Sequence, residues 1–172
     1  MDDPLHPGPT KTLLIVYHSM TGGTRQMAEA AARGAAAEPT VRVCLLSAPG
    51  AQAADLLDAD GYIFGTPENL AAMAGLMKDF FDRTYYPALD HISGRPYATL
   101  ICAGSDGHNA ARQVKRIATG WRLKAIADPL IVCTHAQTPD AILAPKIISL
   151  DDLKSCEELG AALATGMSIG VF

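Results

Sequence analysis

Three hydroxyl side chains follow the first apolar run of the chain, at a spacing that suits a phosphate group. The loop after the run contains Ser19, Thr21 and Thr24, with Gly22 and Gly23 between the two threonines. Hydroxyl groups and the backbone N–H groups of a Gly-containing loop can all donate hydrogen bonds to an anion. No lysine lies in this loop. The donors are therefore neutral, which suits a phosphate monoester better than a nucleoside triphosphate with its metal ion.

The residues on either side of this loop predict the elements that position it. Residues 13–16 are all apolar, as in a strand that is buried on both faces of a parallel sheet. Residues 25–33 are mostly strong helix formers. Because the first turn of a helix has unpaired N–H groups and the positive end of the helix dipole, the loop lies at an anion-binding position. The bland alternative is an ordinary Ser/Thr N-cap without a ligand.

Three other functions of such a loop are excluded by its residues. A P-loop requires Gly-Lys-Ser/Thr, whereas Gly23 is followed by Thr24 and Arg25. A dinucleotide-binding loop requires G-x-G-x-x-G, and only one pair of glycines is present. A receiver domain would place acidic residues at the end of the first strand, where this chain has His18 and Ser19.

The composition indicates a globular chain without a nucleic-acid partner. Its 172 residues carry a formal net charge of −4, and the isoelectric point near 5.6 argues against nucleic acid. No apolar run is long enough to span a membrane. The start of the chain has no signal-peptide pattern, so a cytoplasmic location is expected. We predict a flexible arm over residues 1–11, which are rich in proline, and a single domain over residues 12–172.

The four cysteines do not form a metal-binding pattern. They are widely spaced and include no C-x-x-C pair, so neither a zinc site nor a cluster site is expected. Three of them lie in apolar, strand-like runs and are predicted to be buried thiols. The cysteines are Cys44, Cys102, Cys133 and Cys156.

Strand-like and helix-like segments alternate along the chain. The strands are predicted over residues 12–18, 40–46, 61–65, 97–103 and 124–135, and the helices over residues 24–37, 51–57, 76–85, 109–119 and 151–166. This order predicts an α/β fold: a doubly wound, five-stranded parallel sheet of order 2-1-3-4-5 in a three-layer α/β/α arrangement. The second strand is expected at an edge. Ligands bind such sheets at the carboxyl ends of the strands, where the loops after strands one, three and four meet.

Two of these three loops resemble those of a known superfamily. The S-x-T-G-x-T pattern of residues 19–24 matches the phosphate loop of flavodoxin-like FMN proteins. Gly65-Thr66-Pro67, followed by M-x-G-L-M-K-x-F-F-D-R over residues 73–83, resembles the second loop and helix of NAD(P)H-dependent FMN reductases and quinone reductases. The third loop, residues 103–109, is similar in position and composition.

The resemblance implies an FMN site with NADH or NADPH as the co-substrate. Loop one would hold the FMN phosphate, and loops two and three would flank the flavin ring. No residue need act as a nucleophile, and His108 is the one candidate for a catalytic side chain, with a helix-capping role as its alternative. The cofactor-binding residues carried over are Ser19, Met20, Thr21, Gly22, Gly23, Thr24, Thr66, Pro67, Glu68, Asn69, Leu70, Ala103, Gly104, Ser105, Gly107 and His108.

Departures from the flavodoxin pattern favour a reductase over an electron carrier. Carriers usually stack aromatic residues of loops two and three on the flavin, whereas loop two here offers Leu70 and Met73. Carriers often have a glycine in loop two, where a peptide flips towards flavin N5–H, and residues 67–70 contain none. We therefore expect an oxidoreductase that passes electrons from NAD(P)H through the flavin to a quinone-like or other small acceptor. A flavodoxin-type carrier and a non-catalytic binding protein stay open, as does a homodimer, since relatives are often dimers.

Overall fold

The computed structural model describes residues 11–172. The expected N-terminal arm lies outside the described residues, except for Lys11, which begins the first strand. The elements in chain order are β1 (Lys11–Tyr17), α1 (Gly23–Ala36), β2 (Val41–Ser47), α2 (Ala53–Asp58), β3 (Gly61–Asn69), β4 (Ala72–Met73), α3 (Gly75–Ala88), β5 (Pro96–Ala103), α4 (His108–Gly120), β6 (Lys124–Ala125), β7 (Leu130–Cys133), α5 (Pro139–Leu143) and α6 (Leu150–Ser168).

A twisted parallel sheet of order β2-β1-β3-β5-β6 forms the centre of the fold, and β7 also pairs with β5. The predicted doubly wound order is confirmed, because β5 is the fourth main strand and β6 and β7 together are the fifth. Asp128 and Pro129 separate these two pieces, and proline cannot donate to the ladder. The edge position predicted for the second strand is also confirmed, since β2 pairs only with β1 among the described strands.

The two faces of the sheet are buried by different helices. Leu14 and Val16 face a core formed with α2, α3 and α4, and Leu13 and Ile15 face a second core formed with α1 and α6. Because alternate side chains of a strand point to opposite faces of the sheet, a strand in which every residue is apolar has to be buried on both faces. Trp121, directly after α4, is fully buried in the first of these cores.

Two local predictions from the sequence were wrong. The i, i+4 spacing of apolar residues over the predicted helix 76–85 predicts a buried stripe that includes Leu76, yet Leu76 is 47% exposed, whereas Met77 and Phe80 are fully buried. Leu76 lies in the first turn of α3, at the N-terminal end of the helix. The loop predicted over residues 138–148 contains the short helix α5, which begins with Thr138 as N-cap and Pro139 at its first position.

The third strand is longer than the apolar run that predicted it. It continues from Gly65 to Asn69 and then turns back as β4, pairing Glu68 with Met73 and Asn69 with Ala72. Loop two is therefore an antiparallel hairpin that extends from the sheet. Within residues 11–172, no helix is long and apolar enough to cross a bilayer, and the same residues contain no group of three potential metal ligands.

Candidate functional site

A cavity of about 550 Å³ opens at the carboxyl ends of β1, β3 and β5. Its volume is in the usual range for small-molecule and cofactor sites. No aromatic side chain is among the described residues that line it. They are Ser19, Met20, Thr21, Gly23, Thr24, Pro67, Glu68, Asn69, Leu70, Ala71, Cys102, Ala103, Gly104, Ser105, Thr134, Ala136, Gln137, Ile142 and Lys146.

Loop one is shaped by its two glycines. Gly22 has φ +94° and donates its N–H to Ser19 Oγ at 3.0 Å, which closes the turn before α1. A Cβ atom on Gly23 would lie 2.5 Å from the sulfur of Cys102 on β5. Only glycine at position 23 lets the loop lie this close to the sheet, so the loop and the strand form one continuous wall of the cavity.

The N-terminus of α1 is open towards the cavity. Its N-cap, Gly22, has no side chain that could accept from the first N–H groups, and no acidic residue lies in the first turn. The Oγ1 atom of Thr24 is buried and has no hydrogen-bond partner. A buried polar atom without a partner is unfavourable. Unpaired helix N–H groups and an unpartnered hydroxyl at one place fit an anionic group such as a phosphate monoester.

The N-terminus of α4 meets the same edge of the sheet but is closed. Both oxygens of the Glu68 carboxylate accept from its first turn, from Gly107 N at 2.9 Å and from Ala110 N at 3.1 Å. An internal anion thus satisfies this helix dipole. Of α1 and α4, only α1 has an N-terminus left for an external anion.

The tip of the loop-two hairpin is strained. Leu70 and Ala71 form a two-residue turn in which both have positive φ, +50° and +62°. Such turns usually carry Asn-Gly, because other residues in this region are destabilised by about 1–2 kcal/mol each. Leu70 is fully exposed at the cavity mouth.

Side chains from α4 and β3 hold the strained hairpin in place. Asn109 Nδ2 donates to the carbonyl oxygen of Ala71, and Met73 N donates to Gln113 Oε1 at 2.8 Å. Thr66 Oγ1 is fully buried and accepts from Ala74 N at 3.0 Å. The hairpin is therefore fixed at both strands, which opposes the peptide flip of carrier flavodoxins.

Loop three contributes its first residues to the cavity and its later residues to the start of α4. Ala103, Gly104 and Ser105 line the cavity. His108 does not: its ring is exposed and its Nδ1 lies 2.6 Å from Asp106 Oδ1. Hydrogen bonds from His108 lower the pKa of the Asp106 carboxyl. His108 is the first residue of α4, directly after the N-cap Gly107, and its ring contacts Asp106 rather than the helix N–H groups.

Three further predicted residues support the cavity without lining it. Gly22 forms the turn of loop one, and Thr66 holds the base of the hairpin. Gly107 has φ +91°, and a Cβ there would lie 2.7 Å from Ile131. Apart from these three and His108, all the predicted cofactor-binding residues line the cavity.

One wall of the cavity has no counterpart in the sequence prediction. Thr134, Ala136, Gln137, Ile142 and Lys146 come from the segment after β7. This segment is tied to loop one: Lys146 N donates to the carbonyl oxygen of Thr21 at 2.9 Å. Its ammonium group donates to three carbonyl oxygens around the end of α5, those of Ala141, Ile142 and Ala144.

Gln26 joins α1 to the same wall. Its Nε2 donates to the carbonyl oxygens of Gly22 at 2.9 Å and Lys146 at 2.7 Å, and its Oε1 accepts from Ile148 N. Gln26 is the sequence feature that could have indicated this wall, because a polar side chain on the buried face of a helix needs a hydrogen-bond partner from elsewhere in the chain.

Cys102 lines the cavity as an inert thiol. Burial raises its pKa to about 11, so it carries a proton near neutral pH and is a poor nucleophile. Burial also lowers the pKa of His18, at the end of β1. The cavity therefore offers hydrogen-bond donors, apolar walls and an anion site, but no activated nucleophile among its described residues.

Comparison with known proteins agrees with this geometry. Residues 47–138, which include the second and third loops, match the family described as NADPH-dependent FMN reductase. The chain belongs to this family. The matched range covers more than half of the chain, and with the parallel sheet it confirms the flavodoxin-like assignment made from the loop motifs.

Curated relatives of the chain include a dehydrogenase and a flavodoxin. It is 36% identical over 92 residues to an NAD(P)H dehydrogenase (quinone) of Acidithiobacillus ferrooxidans, a match that covers 42% of this chain and less than half, 46%, of that protein. It is 27% identical over 164 residues to a flavodoxin of Aquifex aeolicus, covering 92% of this chain and 88% of the flavodoxin.

Solved structures show the same fold. An archaeal flavodoxin superposes with a TM-score of 0.75 at 22% identity, covering 91% of this chain and 99% of the flavodoxin. A WrbA-like flavodoxin of Agrobacterium tumefaciens gives a TM-score of 0.70 at 21% identity, over 91% of this chain and 96% of that one.

Proposed function

We propose that the chain is an FMN-dependent oxidoreductase that takes electrons from NADH or NADPH and delivers them to a small, quinone-like acceptor. The observation that carries this proposal is the open N-terminus of α1 beside a cavity of cofactor size, with Thr24, whose hydroxyl has no partner, among the residues that line it. Bound FMN supplies the hydride and electron transfer. The protein supplies binding, orientation and exclusion of water.

Loop one would hold the FMN phosphate. Backbone N–H groups at the start of α1 and the hydroxyl groups of Ser19, Thr21 and Thr24 are the donors. Hydrogen bonds to a charged group contribute about 1.5–3 kcal/mol each, and the helix dipole adds to them. Lys146, the positively charged residue among the described lining residues, lies on the same side of the cavity as loop one.

Loops two and three would flank the flavin ring. Pro67, Asn69 and Leu70 approach from the hairpin, and Ala103, Gly104 and Ser105 approach from the end of β5. Their apolar atoms keep water from the ring, and their backbone groups can bond to its polar edge. His108 lies outside the lining, so no proton transfer is assigned to it.

The hairpin favours a reductase over an electron carrier. Its carbonyl and N–H groups are pinned by Asn109 and Gln113, and no aromatic side chain is among the described lining residues. A face without a stacked aromatic residue leaves room for a nicotinamide or a flat acceptor to lie over the ring. The similarity to a flavodoxin over 92% of the chain keeps electron carriage as the second candidate function.

Anaerobic mixing of the FMN-loaded protein with each nicotinamide tests the proposal. NADH or NADPH should bleach the visible flavin absorbance much faster than it does with free FMN at equal concentration, and a quinone should restore it. If neither nicotinamide reduces the bound flavin faster than free FMN, the reductase assignment is wrong and the carrier replaces it.

A further inference from the structure

The cavity has one charged side chain of each sign among the described residues that line it. They are Glu68 and Lys146. Lys146 belongs to the loop-one side, because its backbone N–H bonds to the carbonyl oxygen of Thr21. Glu68 belongs to the opposite side, between the hairpin and α4. The cavity therefore has a positive end at loop one and a negative end at loops two and three.

The Glu68 carboxylate is held rigidly at that negative end. Its two oxygens accept from Gly107 N at 2.9 Å and Ala110 N at 3.1 Å, and an ionised carboxylate is an acceptor only. A Cβ at Gly107 would lie 2.7 Å from Ile131 and 3.1 Å from Ile101, so the backbone here is closely packed. The start of α4 carries about half a positive charge, so a full carboxylate charge leaves this wall net negative.

A negative wall beside the flavin-ring end would act on whatever binds there. Lys146 is occupied by carbonyl oxygens on the other side of the cavity, and it cannot neutralise charge near the hairpin. Apart from Lys146, no cationic side chain is among the described lining residues, so an anionic acceptor at the ring end would be repelled by Glu68. An uncharged acceptor would not be repelled. Repulsion of this kind is a common means of excluding wrong ligands.

We propose that Glu68 is a specificity-determining residue that makes the cavity prefer an uncharged acceptor to an anionic one. This inference rests on the proposed function, since it assigns the acceptor class for the same site. Glu68 also holds the hairpin against the start of α4 through its two hydrogen bonds. This geometric effect is separate from the effect of its charge. A glutamine at position 68 keeps the size and one acceptor oxygen of the side chain but removes its charge.

Equilibrium binding of two naphthoquinones to the FMN-loaded protein, without any nicotinamide, tests the inference by calorimetry. One quinone is uncharged and the other carries a sulfonate. In the wild type the uncharged quinone should bind more tightly. The ratio of the two dissociation constants should shift by about five- to tenfold towards the sulfonate in Glu68→Gln, and the ratio of KM values in turnover should shift in the same direction.

Two further variants separate charge from geometry. Glu68→Asp keeps the charge and should keep the wild-type ratio, even if the hairpin loosens. Asp106→Asn removes a carboxylate from the same loop, but from an exposed position outside the cavity, and should leave the ratio unchanged. An unchanged ratio in Glu68→Gln, or an equal shift in Asp106→Asn, overturns the role of Glu68. Failure of FMN to bind when the FMN-free protein is titrated with it would overturn the proposed function instead.

Discussion

At the scale of single residues, Thr24 is the side chain whose environment most strongly favours a bound ligand. Its side chain is 1% exposed, and its hydroxyl has no partner. Replacing it by valine keeps the shape and removes the unpartnered oxygen. We therefore expect Thr24→Val to stabilise the FMN-free protein by about 1 kcal/mol and to weaken FMN binding by about 1–2 kcal/mol. Denaturant unfolding and FMN titration measure the two effects.

Thr84 provides the matched control for this substitution. It is also 1% exposed, but its hydroxyl donates to the carbonyl oxygen of Phe80 at 2.7 Å, and it lies outside the cavity. Thr84→Val should not stabilise the protein and should not change FMN affinity. A destabilised Thr24→Val protein with unaltered FMN binding would remove Thr24 from the site. For Thr21→Ala, whose side chain is less buried, we expect the same weakening of FMN binding without unfolding.

Gly23 and Cys102 form a pair whose coupling can be measured. A Cβ at position 23 would lie 2.5 Å from the Cys102 sulfur, so Gly23→Ala should destabilise the protein by about 1–3 kcal/mol. Cys102→Ala removes that sulfur and should recover much of the loss in the double variant. Additive losses in a double-mutant cycle of unfolding free energies would show that the loop does not depend on this contact.

At the scale of elements, the hairpin between β3 and β4 carries strain that glycine would relieve. Ala71 has φ +62°, and an Ala71→Gly substitution should stabilise the protein by about 1 kcal/mol. Ala72 follows directly in β4 and has no positive φ, so Ala72→Gly should destabilise it by about 0.5–1 kcal/mol. Unfolding curves of the two alanine-to-glycine variants should thus shift in opposite directions. Shifts of the same sign would contradict the assigned turn.

Most of the cavity could be predicted from the sequence because its loops follow strands. Parallel strands end at one edge of a sheet, so the polar residues after β1, β3 and β5 had to meet there. The wall around Lys146 could not be predicted, because the residue lies 120 positions from Gln26, its partner. The direction of the Glu68 side chain was also not predictable, since it depends on where α4 begins.

At the scale of the whole molecule, two buried thiols should make the free energy of unfolding fall at alkaline pH. Burial raises the pKa of Cys102 to about 11 and that of Cys156 to about 12, from 9.0. Their protonated forms are favoured in the folded state, so this contribution is fully present below pH 9 and is lost as pH rises through these values. Tyr62, raised from 10.0 to about 12, adds a similar loss at higher pH.

The thermal unfolding midpoint should therefore fall as the pH is raised above 9. Because Tyr62 contributes only from its ordinary value of 10.0 upward, the fall between pH 9 and pH 10 belongs to the two buried cysteines. Cys156→Ala should make that fall shallower. An identical pH dependence in wild type and variant would contradict the assignment.

The two ends of the cavity, both at the carboxyl edge of the sheet, have different roles. Loop one and α1 offer an open anion site, and α4 is closed by Glu68. The arrangement of residues 12–172 as one domain stays a prediction from the sequence. In the proposed function, this division of the cavity would orient a ligand that has one anionic end.

The central claim is that the cavity recognises FMN through its phosphate at loop one. Riboflavin has the same ring without the phosphate, so the ratio of the two affinities isolates that contact. Titration of the FMN-free protein, followed by flavin fluorescence quenching, should give about one FMN per chain. The account predicts that riboflavin binds at least about tenfold more weakly, a difference of about 1.4 kcal/mol or more. Equal affinities for FMN and riboflavin would contradict it.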